Sequence, residues 1–115
     1  MTRVTDPFVA ACPHCAERTA TDDPNEVVRF FRRHHAVTGH DVEWERIPSL
    51  PADLPAEADL DAAVEAVADP DAPLGTVTAA TSEWGWTVGE TLDAIHDRRL
   101  TGALWEPRDD HVALV

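Results

Sequence analysis

Cys12 and Cys15 stand in the stretch ACPHCAERT, spaced C-x-x-C, and the chain has no other cysteine. A pair at this spacing has two chemical uses. One thiol can be held as a reactive thiolate and cycle with the other through a disulfide, or both thiolates can hold half of a metal ion's coordination shell. The second use needs two more donors. His34 and His40 follow at C-x2-C-x18-H-x5-H, with His35 as the rival to His34 at H-x4-H. His14, inside the C-x-x-C turn, is expected to be exposed rather than a ligand.

The elements around these residues bear on which use applies. A thiolate lowered for redox chemistry is favoured at the start of a helix, where the peptide dipoles stabilise negative charge. Here AERTATDDP follows the second cysteine, rich in Thr and Asp and closed by Pro24, a poor start for a long helix. The spacing instead predicts two short strands around the CPHC turn. A helix follows, with Asp23 as N-cap, Pro24 in the first position and Glu26 completing a capping box. Gly39 would end it in the left-handed conformation. Val27, Phe30, Phe31, His34 and Val37 or Thr38 recur at helical spacing and predict one inward stripe. DVEWERI then alternates as a strand with Trp44 turned inward.

The letters CPHC resemble the active-site tetrapeptide of DsbA-like disulfide oxidoreductases, which keeps a thiol–disulfide role as a minor alternative. The fuller pattern resembles the two-Cys two-His zinc finger: a hairpin knuckle carrying Cys12 and Cys15, a helix end carrying the His pair, and in FRRH a large apolar residue three before the first His. It departs from that family in the gap between the pairs, 18 residues rather than about 12. The resemblance implies structural Zn(2+) held by Cys12, Cys15, His34 and His40. Four protein ligands would leave no position for a reacting water, and the metal would supply folding energy that a module this small lacks.

Charge divides the chain. It carries 22 acidic and 9 basic residues, all of the latter Arg, for a net charge of −13. This composition resembles that of extreme halophiles, in which acidity serves solubility at molar salt rather than marking a partner. Residues 1–47 carry net −2 and residues 48–115 net −11, and the break falls at PSLPADLPAE. Its three prolines preclude a helix or central strand. The reading is a zinc-finger-like module over 1–47, a Pro-rich linker over 48–57 and a second domain over 58–115.

In that second domain Leu60, Ala63, Val64 and Val67 predict an amphipathic helix ending before Pro70. Val77 to Glu83 would form a short helix, WGW a turn through Gly85, and Thr87 with Glu90 the cap of a further helix. Val88, Leu92, Ile95 and Leu100 are expected to face inward from it. ALWEPRDDHVALV reads as strand, turn, strand. This succession resembles the winged helix-turn-helix domain, so the expected fold class is α+β: a small zinc-stabilised ββα(β) module joined to a winged helix-turn-helix.

The winged-helix resemblance implies DNA, with the second helix of the motif in the major groove. Its expected exposed positions, Thr87, Gly89, Glu90, Thr91, Asp93, Ala94, Asp97 and Arg98, are neutral to acidic where base edges would be met. Arg29, Arg32 and Arg33 on the first helix, with Arg98, Arg99 and Arg108, are the candidate phosphate contacts. The expected function is a non-enzymatic, DNA-associated transcription regulator. The alternative is an adaptor that uses the acidic winged helix to bind a protein of the transcription or replication machinery. No nucleophile–base pair or glycine-rich phosphate loop is present, and no small-molecule substrate is expected. With neither an apolar span nor a secretory pattern visible, the expected location is cytoplasmic, with no membrane partner.

Overall fold

The computed structural model describes residues 7–48 and 59–115. The Pro-rich linker expected over 48–57 lies outside the described residues from 49 on. The fold class is α+β, with four α-helices and two small three-stranded sheets among the described residues.

The first sheet joins strands β1 (Phe8–Ala11), β2 (Arg18–Thr21) and β3 (Glu43–Arg46) in the order β2-β1-β3, both pairings antiparallel. The CPHC turn is the loop of the β1–β2 hairpin, as expected. Helix α1 (Pro24–Thr38) packs on it, started by Asp23, whose carboxylate accepts from the Asn25 N–H at 3.0 Å, and ended by Gly39 at φ 75°. The capping box does not close. Glu26 turns outward to pair with Arg29, and the Asp23 N–H donates to Thr21 Oγ1 instead.

The second unit begins with α2 (Leu60–Val67), which buries all four residues of the expected stripe. Strand β4 (Ala72–Pro73) leads directly into α3 (Leu74–Thr81). That helix starts three residues before the expected Val77, and a single 3-10 turn over Ser82–Trp84 finishes it. After Gly85, at φ 84°, comes α4 (Val88–Leu100). Its capping box is complete: Thr87 Oγ1 accepts from the Glu90 N–H, and Glu90 Oε1 accepts from the Thr87 N–H. Strands β5 (Leu104–Trp105) and β6 (His111–Leu114) form the terminal hairpin, and β4 adds to the free side of β6, giving the order β4-β6-β5.

The two units share their cores. Val28 of α1 is buried among Leu60, Val64, Val77, Ile95 and Val112, while Val88 of α4 is buried among Ala10, Val27, Phe30 and Val42. Helix α1 therefore has two buried faces, one toward the first sheet and one toward α3. This corrects the single expected stripe: Val28 and Asn25 are buried, whereas Val37 is 86% exposed. Leu100, expected inside, is 73% exposed, because it lies about 120° round the helix from the buried Val88. Thr91 and Gly89, expected on the exposed face, are buried; the Thr91 hydroxyl meets that of Thr81 at 2.5 Å and ties α4 to α3.

Asn25 joins the units with hydrogen bonds that no water can replace in a buried place. Its side-chain oxygen accepts from the Gly75 N–H at 2.7 Å, and its amide donates to the Asp110 carbonyl at 3.3 Å. Gly75 is required by this approach, since a Cβ there would lie 2.1 Å from the carbonyl carbon and oxygen of Pro24. Those are backbone atoms at the start of a helix and cannot rotate away. Gly75→Ala should therefore lower unfolding stability by at least about 2 kcal/mol, read from denaturant melts, where an ordinary helix-interior Gly→Ala would raise it.

Candidate metal centre

The β1–β2 hairpin and the end of α1 bring four donors to one point. The ligand atoms of Cys12, Cys15, His34 and His40 all lie within 4.8 Å of one another. Cys12 Sγ is 3.5 Å from His40 Nδ1, and Cys15 Sγ is 3.4 Å from His34 Nε2. A tetrahedral zinc with Zn–S near 2.3 Å and Zn–N near 2.05 Å has S···N edges of about 3.6 Å. The donor set and these two S···N distances are compatible with a structural zinc site, where two thiolates would neutralise the dication.

Local structure explains how each donor is held. The His14 N–H donates to Cys12 Sγ at 3.4 Å, and the Cys12 N–H closes the hairpin loop on the Glu17 carbonyl at 3.0 Å. His34 projects from the last full turn of α1 and is 8% exposed, with its ring stacked on Phe30 at a centroid distance of 5.7 Å. Thr38 bonds the His34 carbonyl, and its hydroxyl then accepts from the His40 N–H at 3.1 Å, bringing the chain back past Gly39 to the site.

The rivalry between the two adjacent histidines is decided by helix phase. His35 points outward, stacks on Phe31 and meets the His40 carbonyl through Nδ1 at 3.2 Å. The apolar residue against the inward histidine is thus Phe30, four before it, and not Phe31. His14 is exposed, as expected, with its ring 5.2 Å from that of His40.

The two sulfurs differ in surroundings. Cys12 is buried and Cys15 exposed, the reverse of what a redox pair attacking through its first cysteine needs. A backbone hydrogen bond at Glu17 favours the Cys15 thiolate, but desolvation, the neighbouring Cys12 and the Glu17 charge together leave its thiol above the ordinary value.

Two family models match the chain. Residues 9–46 match the family model described as HVO_B0008 N-terminal, and residues 63–112 match the HVO_B0008 C-terminal domain. The chain belongs to the HVO_B0008 family. No curated protein and no solved structure matches it. In this HVO_B0008 chain the metal-ligand cluster lies entirely within the N-terminal match.

Of the six arginines singled out from the sequence, five are ion-paired. Arg29 pairs with Glu26 and reaches Asp110 at 4.0 Å, and Arg32 meets Asp110 at 2.7 Å. Arg98 forks onto Asp61, which raises its affinity for its proton; Arg99 meets Glu106 at 3.2 Å; and Arg108 meets Asp71 through two bonds of 3.0 and 3.2 Å. Among the described residues Arg33 alone of the six has no acidic partner. It lines a groove of about 550 Å³ with Cys15, Phe30, His34 and Val37.

Asp41 is the residue that the sequence reading missed. Its carboxylate accepts from the Gly89 N–H at 2.8 Å and from the Thr87 hydroxyl at 2.6 Å, and the neighbouring Val42 carbonyl accepts from the Val88 N–H at 3.1 Å. Two of the orphan N–H groups at the start of α4 are thus satisfied by the other unit. No helix among the described residues is long and apolar enough to cross a membrane.

The phase argument yields a discriminating test. Cys12→Ala and His34→Ala should each weaken zinc binding by on the order of a hundredfold, measured by competition with a chromophoric chelator. His35→Ala should keep one zinc per chain at near-native affinity.

Proposed function

We propose that this HVO_B0008 chain is a non-enzymatic interaction module, with structural zinc in its N-terminal unit and a winged helix-turn-helix as its C-terminal unit. The succession helix, strand, helix, helix, hairpin supports the second assignment, as does the placement of β4 beside the last strand. The S···N spacing supports the first. The acid excess is read as an adaptation to molar salt, and a cytoplasmic location goes with that reading.

A protein partner, within transcription or replication machinery, is favoured over DNA by one observation above all. The first turn of α4, which a recognition helix presents to base edges, is covered by Asp41 and Val42. The hairpin turn is drawn onto α1 as well, through the pairing of Asp110 with Arg32. What remains open is the other end of α4. There Leu100 and Trp105, the latter 52% exposed, border a groove of about 690 Å³ shared with His96, Arg99, Pro107 and Arg108. An apolar side chain of a partner suits that groove, whose two arginines are already paired with Glu106 and Asp71. Four donors gathered at one point and the burial of the first cysteine argue against a thiol–disulfide oxidoreductase.

DNA-associated transcription regulation is the second reading, and unpaired Arg33 beside Arg29 and Arg32 is the observation that favours it. Anisotropy titration of a mixed-sequence duplex between about 0.2 and 2 M KCl, with folding monitored, separates the two. The protein-partner reading expects weak binding whose salt slope corresponds to fewer than about two released counterions. A slope of about four or more that falls in Arg33→Glu would instead establish the DNA reading.

A further inference from the structure

His40 and Asp41 are consecutive residues that serve different units. His40 turns its ring to the metal centre, with Nδ1 3.5 Å from Cys12 Sγ. Asp41 turns its carboxylate to the first turn of α4, where it accepts from the Gly89 N–H and the Thr87 hydroxyl. It also accepts from the Val42 N–H at 2.7 Å, which fixes the carboxylate relative to its own backbone. No flexible spacer separates the two roles, so a displacement of His40 carries Asp41 with it.

The receiving surface is shaped for this carboxylate. Position 89 lies in the first turn of α4, where alanine would favour the helix by about 1 kcal/mol over glycine. A Cβ there would stand 2.6 Å from Asp41 Oδ2 and 2.9 Å from its Cγ. The residue in the way is a side chain rather than backbone, so Gly89→Ala would expel the carboxylate while leaving the helix intact. Thr87 contributes from the same turn: its hydroxyl donates to Asp41 and accepts from Glu90, so one oxygen belongs both to the helix cap and to the contact between units.

We propose that the metal centre is a latch on α4: metal held at His40 keeps Asp41 on the Thr87–Gly89 turn, and loss of the metal releases that turn. The proposal rests on the reading that the four Cys and His residues bind zinc. It adds that metal occupancy governs the face of α4 that is covered here, and so whether that face is open to a partner. Coupling of this kind is reciprocal, so weakening the Asp41 contact from the α4 side must weaken the metal.

The test is a zinc competition titration on the full chain under reducing conditions, with Gly89→Ala compared against the unaltered protein and against Asp93→Ala at an exposed position of the same helix. Gly89→Ala should bind zinc about fivefold or more weakly, while Asp93→Ala should match the unaltered protein. In parallel, hydrogen exchange at the Val88 and Gly89 amides should speed up at least tenfold on chelation, beyond any change at the Val112 amide. Equal zinc affinity in folded Gly89→Ala would overturn the latch alone. Failure of the unaltered protein to bind zinc would overturn the zinc reading beneath it. Should Gly89→Ala not fold, Asp41→Asn decides by the same criterion, because it keeps the size of the side chain and removes the charge.

Discussion

Helix α1 is the element on which both halves of the molecule depend, because it is buried on two sides. Val27, Phe30 and His34 face the first sheet and the metal-ligand cluster, while Val28, one residue away, sits in the core formed by α2, α3 and the terminal hairpin. Neither unit encloses a core of ordinary size alone, and small domains bury too little surface to offset chain entropy comfortably. Sharing one helix enlarges both cores without lengthening the chain. The close approach of α1 to α3 needs a residue without a side chain at position 75, and Asn25 supplies the polar bond that this dry contact would otherwise lack.

The second constraint is electrostatic. In a chain of net charge −13, arginines are scarce and acids lie within reach of most of them. Asp61, Asp71 and Asp110 each engage one or more arginines from elements distant in sequence, and Glu106 engages the nearby Arg99. In each pair the arginine is largely in solvent, so the pair contributes little to stability individually. Their larger effect is on what the surface offers, since phosphate would have to displace an acid already in place. Asp41 does the same at the helix dipole of α4. Of these arginine pairings only that of Asp110 with Arg29 and Arg32 joins the two units, while the other three brace the second unit internally; with the arginines so engaged, the open apolar end of α4 carries more weight in the proposed function.

Much of this was legible in the sequence because it depends on local periodicity and backbone chemistry. Cysteine spacing across a tight turn, the Asp23-Pro24 helix start, the Gly39 stop and the Thr87–Glu90 capping box act over a few residues, and all but the Glu26 half of the first cap formed as expected. The α2 stripe needed only its helical period. Errors arose where a residue's environment came from elsewhere in the chain. Val37 lies near the phase of its stripe but is left uncovered in the last turn of α1; Leu100 was instead a misjudged phase, about 120° round α4 from Val88. Gly89 and Thr91 looked exposed because nothing local announces the arrival of Asp41 or Thr81.

The sequence by itself determined the four metal-ligand candidates and the α+β class, because donor type, hydrophobic period and capping are encoded within short windows. Tertiary structure decided between His34 and His35, since adjacent helix positions differ by about 100° and only the sheet beneath α1 says which side is inward. It also decided that the units pack together and that the arginines are mostly neutralised. Those outcomes depend on pairings such as Asp41–Gly89 and Asn25–Gly75, separated by 48 and 50 residues, which no local pattern specifies.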